Sequence, residues 1–212
     1  MVVNQTEVWL IRHGESQQNA GFATLDPAST QLTDKGNVQG RKLSAAFPRS
    51  PSLIVTSSYV RALETAKYTA QKFPLVPIQE WPVQEFTYLC PDFHRNTTAT
   101  MRVPFVETYW RRADPLFVDG QGAESFAEFV QRVQDCDTRC RKHEGLVAVF
   151  THSQFIHGVM MLLLPNGLDC KPESMRRFRG FCKELEIPNA AIVKVQYRDA
   201  SVSVSEVVLD HL

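Results

Sequence analysis

Short apolar runs alternate with amphipathic segments along most of the chain. The runs EVWLIRH, SLIVTSS and LVAVFTH are rich in β-branched and other apolar residues and have the length of strands. The segments between and after them carry apolar residues at helical spacing: NVQGRKLSAAF, YVRALETAKYTAQKF, ESFAEFVQRVQDCDTRCRKH, SQFIHGVMMLLL and PESMRRFRGFCKEL. Strands that alternate with helices predict an α/β fold with a mostly parallel central sheet that helices cover on both faces.

Two parts of the chain depart from this alternation. AAIVKVQY and SVSVSEVVL are joined only by RDA, so we expect an antiparallel pair at the edge of the sheet. Residues 90–122 mix proline, threonine, arginine and aromatic residues without a clear period, which predicts a loop or small cap over a site. The length of 212 residues suits one domain spanning 1–212, with 90–122 as an insertion.

The charge balance of the chain excludes a broad class of partner. With 23 basic and 23 acidic residues, the chain lacks the basic excess that is typical of a nucleic-acid-binding protein. A small anionic ligand stays compatible with this balance, because two or three local arginines are enough to bind it. The apolar stretch VMMLLL is too short to span a bilayer, and the first residues do not have the pattern of a signal peptide. We therefore expect no membrane partner.

Cysteine usage indicates the compartment. The five cysteines are an odd number and include no CxxC pair, which is typical of a reduced, cytoplasmic protein. No cluster of cysteine, histidine and aspartate has the spacing of a metal site. We therefore expect neither a metal nor another cofactor.

Side chains that bind anions follow the strand-like runs. EVWLIRH ends on Arg12 and His13, LVAVFTH ends on His152, and Arg61 follows SLIVTSS. Open parallel sheets bind ligands beyond the carboxyl ends of their strands, where helix N-termini also favour anions. We therefore expect these four residues to converge on one rim. Arginine binds phosphate oxygens in bidentate fashion and a neutral histidine can attack phosphorus, so the stretch LIRHGES predicts a phosphoryl-transfer site.

Hydrolysis of a phosphate ester also needs an acid for the leaving oxygen and a base for water. Glu85 is our candidate because it lies in PVQEF, directly after the strand-like piece LVPIQEW. Glu80 is the competing carboxylate in the same region.

These motifs resemble the histidine phosphatase superfamily, the phosphoglycerate-mutase-like group. The resemblance rests on RHGES at 12–16, SSYVRALETA at 57–66, Glu85 and the TH pair at 151–152, with LTDKG and GAESFAEF as further landmarks. It covers nearly the whole chain, from EVWLIRH to PNAAIVKV. It implies a three-layer α/β/α sandwich, a phosphohistidine intermediate and no metal.

The resemblance also implies roles for individual residues. His13 would be the nucleophile, Glu85 the proton donor and then the base, and His152 a further catalytic residue that holds the phosphoryl group. The residues that would bind phosphate or substrate are Arg12, Arg61, Asn19, Ser16 and Ser153. Ser153 stands where the family commonly has glycine.

Three functions are compatible with these residues. The favoured one is a phosphatase that hydrolyses a small-molecule phosphomonoester and releases inorganic phosphate. The alternative is a phosphoglycerate mutase, which must also grip a substrate carboxylate. For that grip residues 90–122 offer Arg95, Arg102, Arg111 and Arg112. The aromatic content of 90–122 suggests a pocket for an organic group and favours the phosphatase. A non-catalytic phosphate-binding module is the third function, and the complete motif counts against it; a homodimer is left open.

Overall fold

A mixed sheet lies at the centre of the protein. The computed structural model describes residues 5–23, 26–198 and 201–212, and within them the sheet has the order β3-β2-β4-β1-β5-β6. The strands are Gln5–Arg12 (β1), Leu53–Thr56 (β2), Ile78–Glu80 (β3), Gly145–Thr151 (β4), Ile192–Arg198 (β5) and Ser201–Val208 (β6). Strands β1 to β4 are parallel, whereas β5 is antiparallel to both β1 and β6. The predicted sheet is thereby confirmed; two residues of the RDA turn, Asp199 and Ala200, lie outside the described residues.

Helices cover both faces of this sheet. They are Asp34–Ala46 (α1), Val60–Lys72 (α2), Ala99–Arg112 (α3), Phe126–Cys140 (α4), Ser153–Leu163 (α5) and Pro172–Glu184 (α6). Helices α1 and α2 contribute to a buried cluster on one face, and α4, α5 and α6 contribute to a larger cluster on the other. This arrangement confirms the three-layer α/β/α sandwich.

The central strand β1 shows why the strand-like runs are apolar throughout. Val8 and Leu10 pack into the larger cluster, whereas Trp9 and Ile11 pack into the smaller one. Successive side chains of a strand point to opposite faces, so a strand covered on both sides has no solvent-facing position.

Helix α3 was not predicted from the sequence. It begins after the N-cap Thr98 and contains Pro104 in its interior. Its exposed surface includes Met101, Val103 and Phe105, so no clean apolar stripe marks it as a helix. A 3-10 helix at Pro91–His94 precedes it.

The segment 90–122 is closed at its base. The Cys90 amide donates to the Asp119 carboxylate at 3.0 Å, and the Cys90 thiol lies 3.4 Å from the Gln121 carbonyl. Tyr109 and Trp110 bury their rings in the larger cluster and anchor the end of α3 there. Within the described part of the chain, no helix is long and apolar enough to cross a membrane.

The loop after β1 crosses the start of α1 at very short range. A Cβ atom on Gly14 would lie 2.6 Å from the Gly36 carbonyl oxygen, and one on Gly36 would lie 2.1 Å from the Glu15 carbonyl oxygen. The obstacles are backbone atoms, which cannot rotate away. Both positions therefore require glycine, and the crossing sets the path of the chain directly after His13.

We expect Gly36→Ala to lower the free energy of unfolding by on the order of 1–3 kcal/mol, because the methyl group forces two backbone segments apart. Urea unfolding followed by circular dichroism measures this. The matched control is Gly180→Ala in α6, where an added Cβ meets nothing within 4 Å. That change should be neutral or stabilising by about 0.5–1 kcal/mol. Equal effects of the two substitutions would contradict the steric argument.

Candidate active site

The carboxyl ends of β1, β2 and β4 bring the sequence-predicted residues to one rim. Arg12 is the last residue of β1 and His13 follows it, while His152 follows β4 and is the N-cap of α5. Arg61 lies in the first turn of α2, just after β2. The His13 and His152 ring centroids are 5.0 Å apart, and Arg61 Nε lies 3.1 Å from His13 Nε2. Residues far apart in sequence thus form one cluster.

His13 is held in a single protonation state. Its Nδ1 lies 2.7 Å from the Gly14 carbonyl oxygen, which only a protonated Nδ1 can satisfy, while Arg61 Nε donates to Nε2. Burial, and then the charges of Arg61 and Arg12, lower the pKa of His13 well below its usual value. The imidazole is therefore neutral, with its lone pair on Nε2.

Arg61 supplies a buried positive charge beside this lone pair. Its side chain is 4% exposed, donates to the Pro27 carbonyl through one terminal nitrogen, and lies 4.9 Å from the Tyr59 ring centroid. Burial lowers the pKa of Arg61 to about 10, so the guanidinium stays charged at neutral pH. A charge in so little water acts strongly on nearby anions.

Arg12 is anchored at one end and unpartnered at the other. Its guanidinium donates to the Ile187 carbonyl at 2.5 Å, whereas its buried Nε has no hydrogen-bond partner among the described residues. Burial lowers the pKa of Arg12, and the Glu85 carboxylate opposes that shift. Unpartnered buried donors are rare in folded proteins, and this one can donate to a ligand at the rim.

His152 also has a buried ring nitrogen without a hydrogen-bond partner among the described residues. Its Nε2 lies 2.9 Å from the Ser57 hydroxyl, which itself accepts from the Tyr59 amide. A Ser57 hydroxyl that donates to Nε2 leaves the proton of His152 on Nδ1, and Nδ1 is buried without a partner among the described residues. Burial, then Arg61, lowers the pKa of His152 well below its usual value, so this imidazole is also neutral.

Glu85 faces the same cluster from the loop after β3. Its carboxylate accepts from the Gln154 amide at 3.0 Å, in the first turn of α5, and from the Phe86 amide at 3.2 Å. The Glu85 side chain is half-buried and lines a cavity together with Arg61. Glu80 is exposed on β3 and does not line this cavity.

Three further residues predicted to bind phosphate or substrate lie on the loop after His13 and at the start of α5. Ser16 is buried, and its hydroxyl donates to the Asn19 side chain at 2.9 Å. Asn19 also accepts from the Asn189 amide, which bonds the His13 and Gly14 carbonyls. Ser153 is the first residue of α5, and its neighbour Gln154 lines the cavity. Ser16 and Asn19 thus shape the loop after His13.

The cavity beside the cluster has a volume of about 260 Å³ and extends under α3. Its lining residues are Gln18, Pro27, Tyr59, Arg61, Glu85, Phe86, Thr87, Tyr88, Leu89, His94, Ala99, Arg102, Val106 and Gln154. The lining combines the charged residues Arg61, Glu85 and Arg102 with apolar and aromatic side chains. In residues 5–23, 26–198 and 201–212, no group of three side chains is suited to hold a metal ion.

Sequence reasoning overlooked several residues of the site. Ser57 and Tyr59 lie within SSYVRALETA, where the arginine and glutamate drew attention instead. Gln154 follows the TH pair by two positions and had no signal of its own. The sequence does contain a signal for Arg132, because it is a charged residue between the apolar positions Phe129 and Val133 of an amphipathic helix.

The chain is similar in sequence and fold to proteins that are named as phosphatases. An Escherichia coli (strain K12) protein named adenosylcobalamin/alpha-ribazole phosphatase is 26% identical over 184 residues, which cover 81% of this chain and 84% of that one. The solved alpha-ribazole phosphatase of Shigella flexneri superposes with a TM-score of 0.72 at 21% identity, covering 97% and 96% of the two chains.

A second solved structure shares the fold. It is a phosphoserine phosphatase mutant from Entamoeba histolytica in complex with phosphoserine, with a TM-score of 0.67 at 20% identity, covering 98% of this chain and 99% of that one. The sequence model of the histidine phosphatase superfamily (branch 1) matches residues 8–209. This match covers most of the chain, and it agrees with the arginines and neutral histidines found at the rim. The chain therefore belongs to the histidine phosphatase superfamily.

Proposed function

We propose that this chain is a phosphatase that hydrolyses phosphomonoesters by transferring the phosphoryl group first to His13 and then to water. The observation that carries the proposal is the state of His13, a buried neutral imidazole whose Nε2 lone pair faces the Arg61 guanidinium. Membership of the superfamily and the relatives named as phosphatases support the same reaction.

In the first step, His13 Nε2 attacks phosphorus and the bond between phosphorus and the alcohol oxygen breaks. Arg61 exchanges its contact with Nε2 for a phosphoryl oxygen, and the free donors of Arg12 and His152 bind the other oxygens. Glu85 donates its proton to the leaving alcohol oxygen. The Gly14 carbonyl, which already accepts from Nδ1, stabilises the positive charge that develops on the ring.

In the second step, water attacks the phosphorus of phosphohistidine. Glu85, now a carboxylate, accepts a proton from that water, and the N–P bond breaks. Inorganic phosphate leaves, while His13 returns to its neutral state and Glu85 to its protonated state. No metal or other cofactor enters either step.

The segment 90–122 would act as a cap that encloses the organic part of the substrate. It contributes Ala99, Arg102 and Val106 to the cavity wall, next to Tyr88 and Leu89. The cavity therefore suits a small organic phosphomonoester, and the relatives named for alpha-ribazole and phosphoserine support that class. All five cysteines are free thiols, which supports a reducing, cytoplasmic location.

Arg102 would be the cap residue that recognises a second anionic group. Of the four cap arginines considered from the sequence, Arg102 is buried and lines the cavity, whereas Arg95, Arg111 and Arg112 are exposed. One terminal nitrogen of Arg102 donates to the carbonyl and hydroxyl of Thr97. It has no ion-pair partner in the described part of the chain, so its charge is available to a ligand.

We expect wild-type protein to release phosphate from a panel that includes p-nitrophenyl phosphate, phosphoserine and 3-phosphoglycerate, without forming 2-phosphoglycerate. His13→Ala should lower the rate by about 10⁴-fold or more while the fold is kept, because no other group supplies the nucleophile. Malachite-green phosphate assays and rapid-quench labelling with ³²P measure this. Isomerisation without net release would indicate the mutase, and phosphate binding without labelling would indicate a binding module.

We expect Arg102→Met to raise the KM for phosphoserine and 3-phosphoglycerate about tenfold or more, because a charge-assisted contact to the carboxylate is lost. The KM for p-nitrophenyl phosphate, which carries no second anion, should stay within about twofold. Arg111→Met, on the exposed side of the same helix, is the matched control. A uniform change across all substrates would contradict the recognition role.

The neutral state of His13 and His152 should make the protein less stable in acid. Both pKa values are lowered in the folded state, whereas an unfolded histidine titrates near about 6.5. Below that pH these two histidines bind protons in the unfolded chain but stay neutral in the folded chain. The free energy of unfolding therefore falls as pH falls. Each histidine contributes up to about 1.4 kcal/mol per pH unit.

Urea unfolding between pH 7 and pH 5.5 measures this slope. His152→Asn should flatten it, because one of the two buried imidazoles no longer titrates on unfolding. An unchanged slope in that variant would show that His152 is protonated in the folded protein.

A further inference from the structure

Arg132 is a buried cation at a position where an apolar residue is expected. It lies on α4 between Phe129 and Val133, both completely buried, and is itself 8% exposed. A charge in such a place destabilises the fold unless its donors are all satisfied. The partners of Arg132 therefore indicate what the charge is for.

The first partner is Glu124, two residues before α4 begins at Phe126. Arg132 Nε lies 2.7 Å from Glu124 Oε2, and a terminal nitrogen lies 2.6 Å from Oε1, so the pair is bidentate. This leaves the outer edge of the guanidinium free to donate elsewhere.

That outer edge binds the backbone that carries Glu85. One terminal nitrogen donates to the carbonyls of Pro82 and Gln84 at 3.1 and 2.8 Å, and the other donates to the Glu85 carbonyl at 3.3 Å. Three carbonyls within four residues therefore converge on a single guanidinium.

Glu124 holds the same loop on the far side of Glu85. Its Oε1 accepts from the Thr87 amide at 3.0 Å, and its own amide donates to the Thr87 carbonyl at 2.9 Å. Residues 82–87 belong to no helix or strand, so few ladder bonds fix their path. The Arg132–Glu124 pair brackets this loop from both ends.

We propose that Arg132 and Glu124 are positioning residues that hold the Glu85 carboxyl at the distance proton transfer requires. The inference rests on the proposed acid–base role of Glu85. Both residues contact the loop through its backbone carbonyls and the Thr87 amide, so they act on Glu85 through its main chain. Misplacing a catalytic group by about 1 Å can lower a rate by about 10²-fold, which makes such a bracket consequential.

The test uses the dependence of rate on the leaving group. An alkyl phosphate such as phosphoserine needs a proton on its leaving oxygen, whereas p-nitrophenyl phosphate releases a stable phenolate and needs little help. The measured quantity is the ratio of kcat/KM for the two substrates, because kcat/KM reports the step in which the leaving group departs. General destabilisation or loss of active protein lowers both rates equally and leaves the ratio unchanged.

The variants are Arg132→Lys and Glu124→Gln, with Glu85→Gln as the reference for a missing acid. Arg132→Lys keeps the charge but cannot bind Glu124 and three carbonyls together, and Glu124→Gln keeps the shape but loses the charge. The matched control is Arg141→Met, which removes the ion pair with Asp137 on the same helix. Melting temperatures are recorded for every variant.

We expect Glu85→Gln to lower the alkyl-to-aryl ratio by about 100-fold, and Arg132→Lys and Glu124→Gln to lower it by about tenfold, with no change in Arg141→Met. An unchanged ratio in both pair variants, with a lowered ratio in Glu85→Gln, would overturn the positioning role alone. An unchanged ratio in Glu85→Gln would instead overturn the proposed acid. If one pair variant does not fold, the other decides the question by the same ratio.

Discussion

The contact between the Gly14 carbonyl and His13 Nδ1 is the interaction on which the site depends. It assigns the proton to Nδ1 and so leaves the lone pair on Nε2, beside Arg61. Burial near two arginines also lowers the pKa of His13 well below its usual value, so the ring stays neutral. The Gly14–Gly36 crossing holds the carbonyl in place, because no side chain separates the two backbones. The chemistry of one ring thus rests on the packing of the main chain.

Two kinds of support surround this ring, and they differ in rigidity. Arg12, His13 and His152 adjoin the ends of paired strands, whose ladders set their positions. Glu85 lies on an irregular loop, which the Arg132 side chain holds at its carbonyls, while the Gln154 main-chain amide donates to the Glu85 carboxylate. The buried ion pair between Arg132 and Glu124 fixes the backbone of this loop, as hydrogen bonds between strands fix the other catalytic positions.

The sequence predicted the sheet and the phosphoryl cluster because both depend on local patterns. Apolar runs reveal strands, and parallel topology brings their ends together, so Arg12, His13 and His152 could be grouped without a structure. The same patterns did not reveal α3, because its apolar residues Met101, Val103 and Phe105 face solvent and break the helical stripe. The family resemblance, rather than these patterns, assigned Ser16, Asn19 and Ser153 to substrate binding, and that assignment stays a prediction. Side-chain bonds such as those of Arg132 depend on tertiary geometry that no spacing encodes.

The closed base of segment 90–122 has a consequence for how this protein could change over evolutionary time. Because the Cys90 amide donates to the Asp119 carboxylate, the two ends of this segment lie close together. Insertions or deletions between those residues need not move β3, α4 or the strand ends. Substrate preference can therefore diverge within this excursion while the catalytic rim is inherited unchanged, which uncouples the selection of new substrates from the preservation of the reaction.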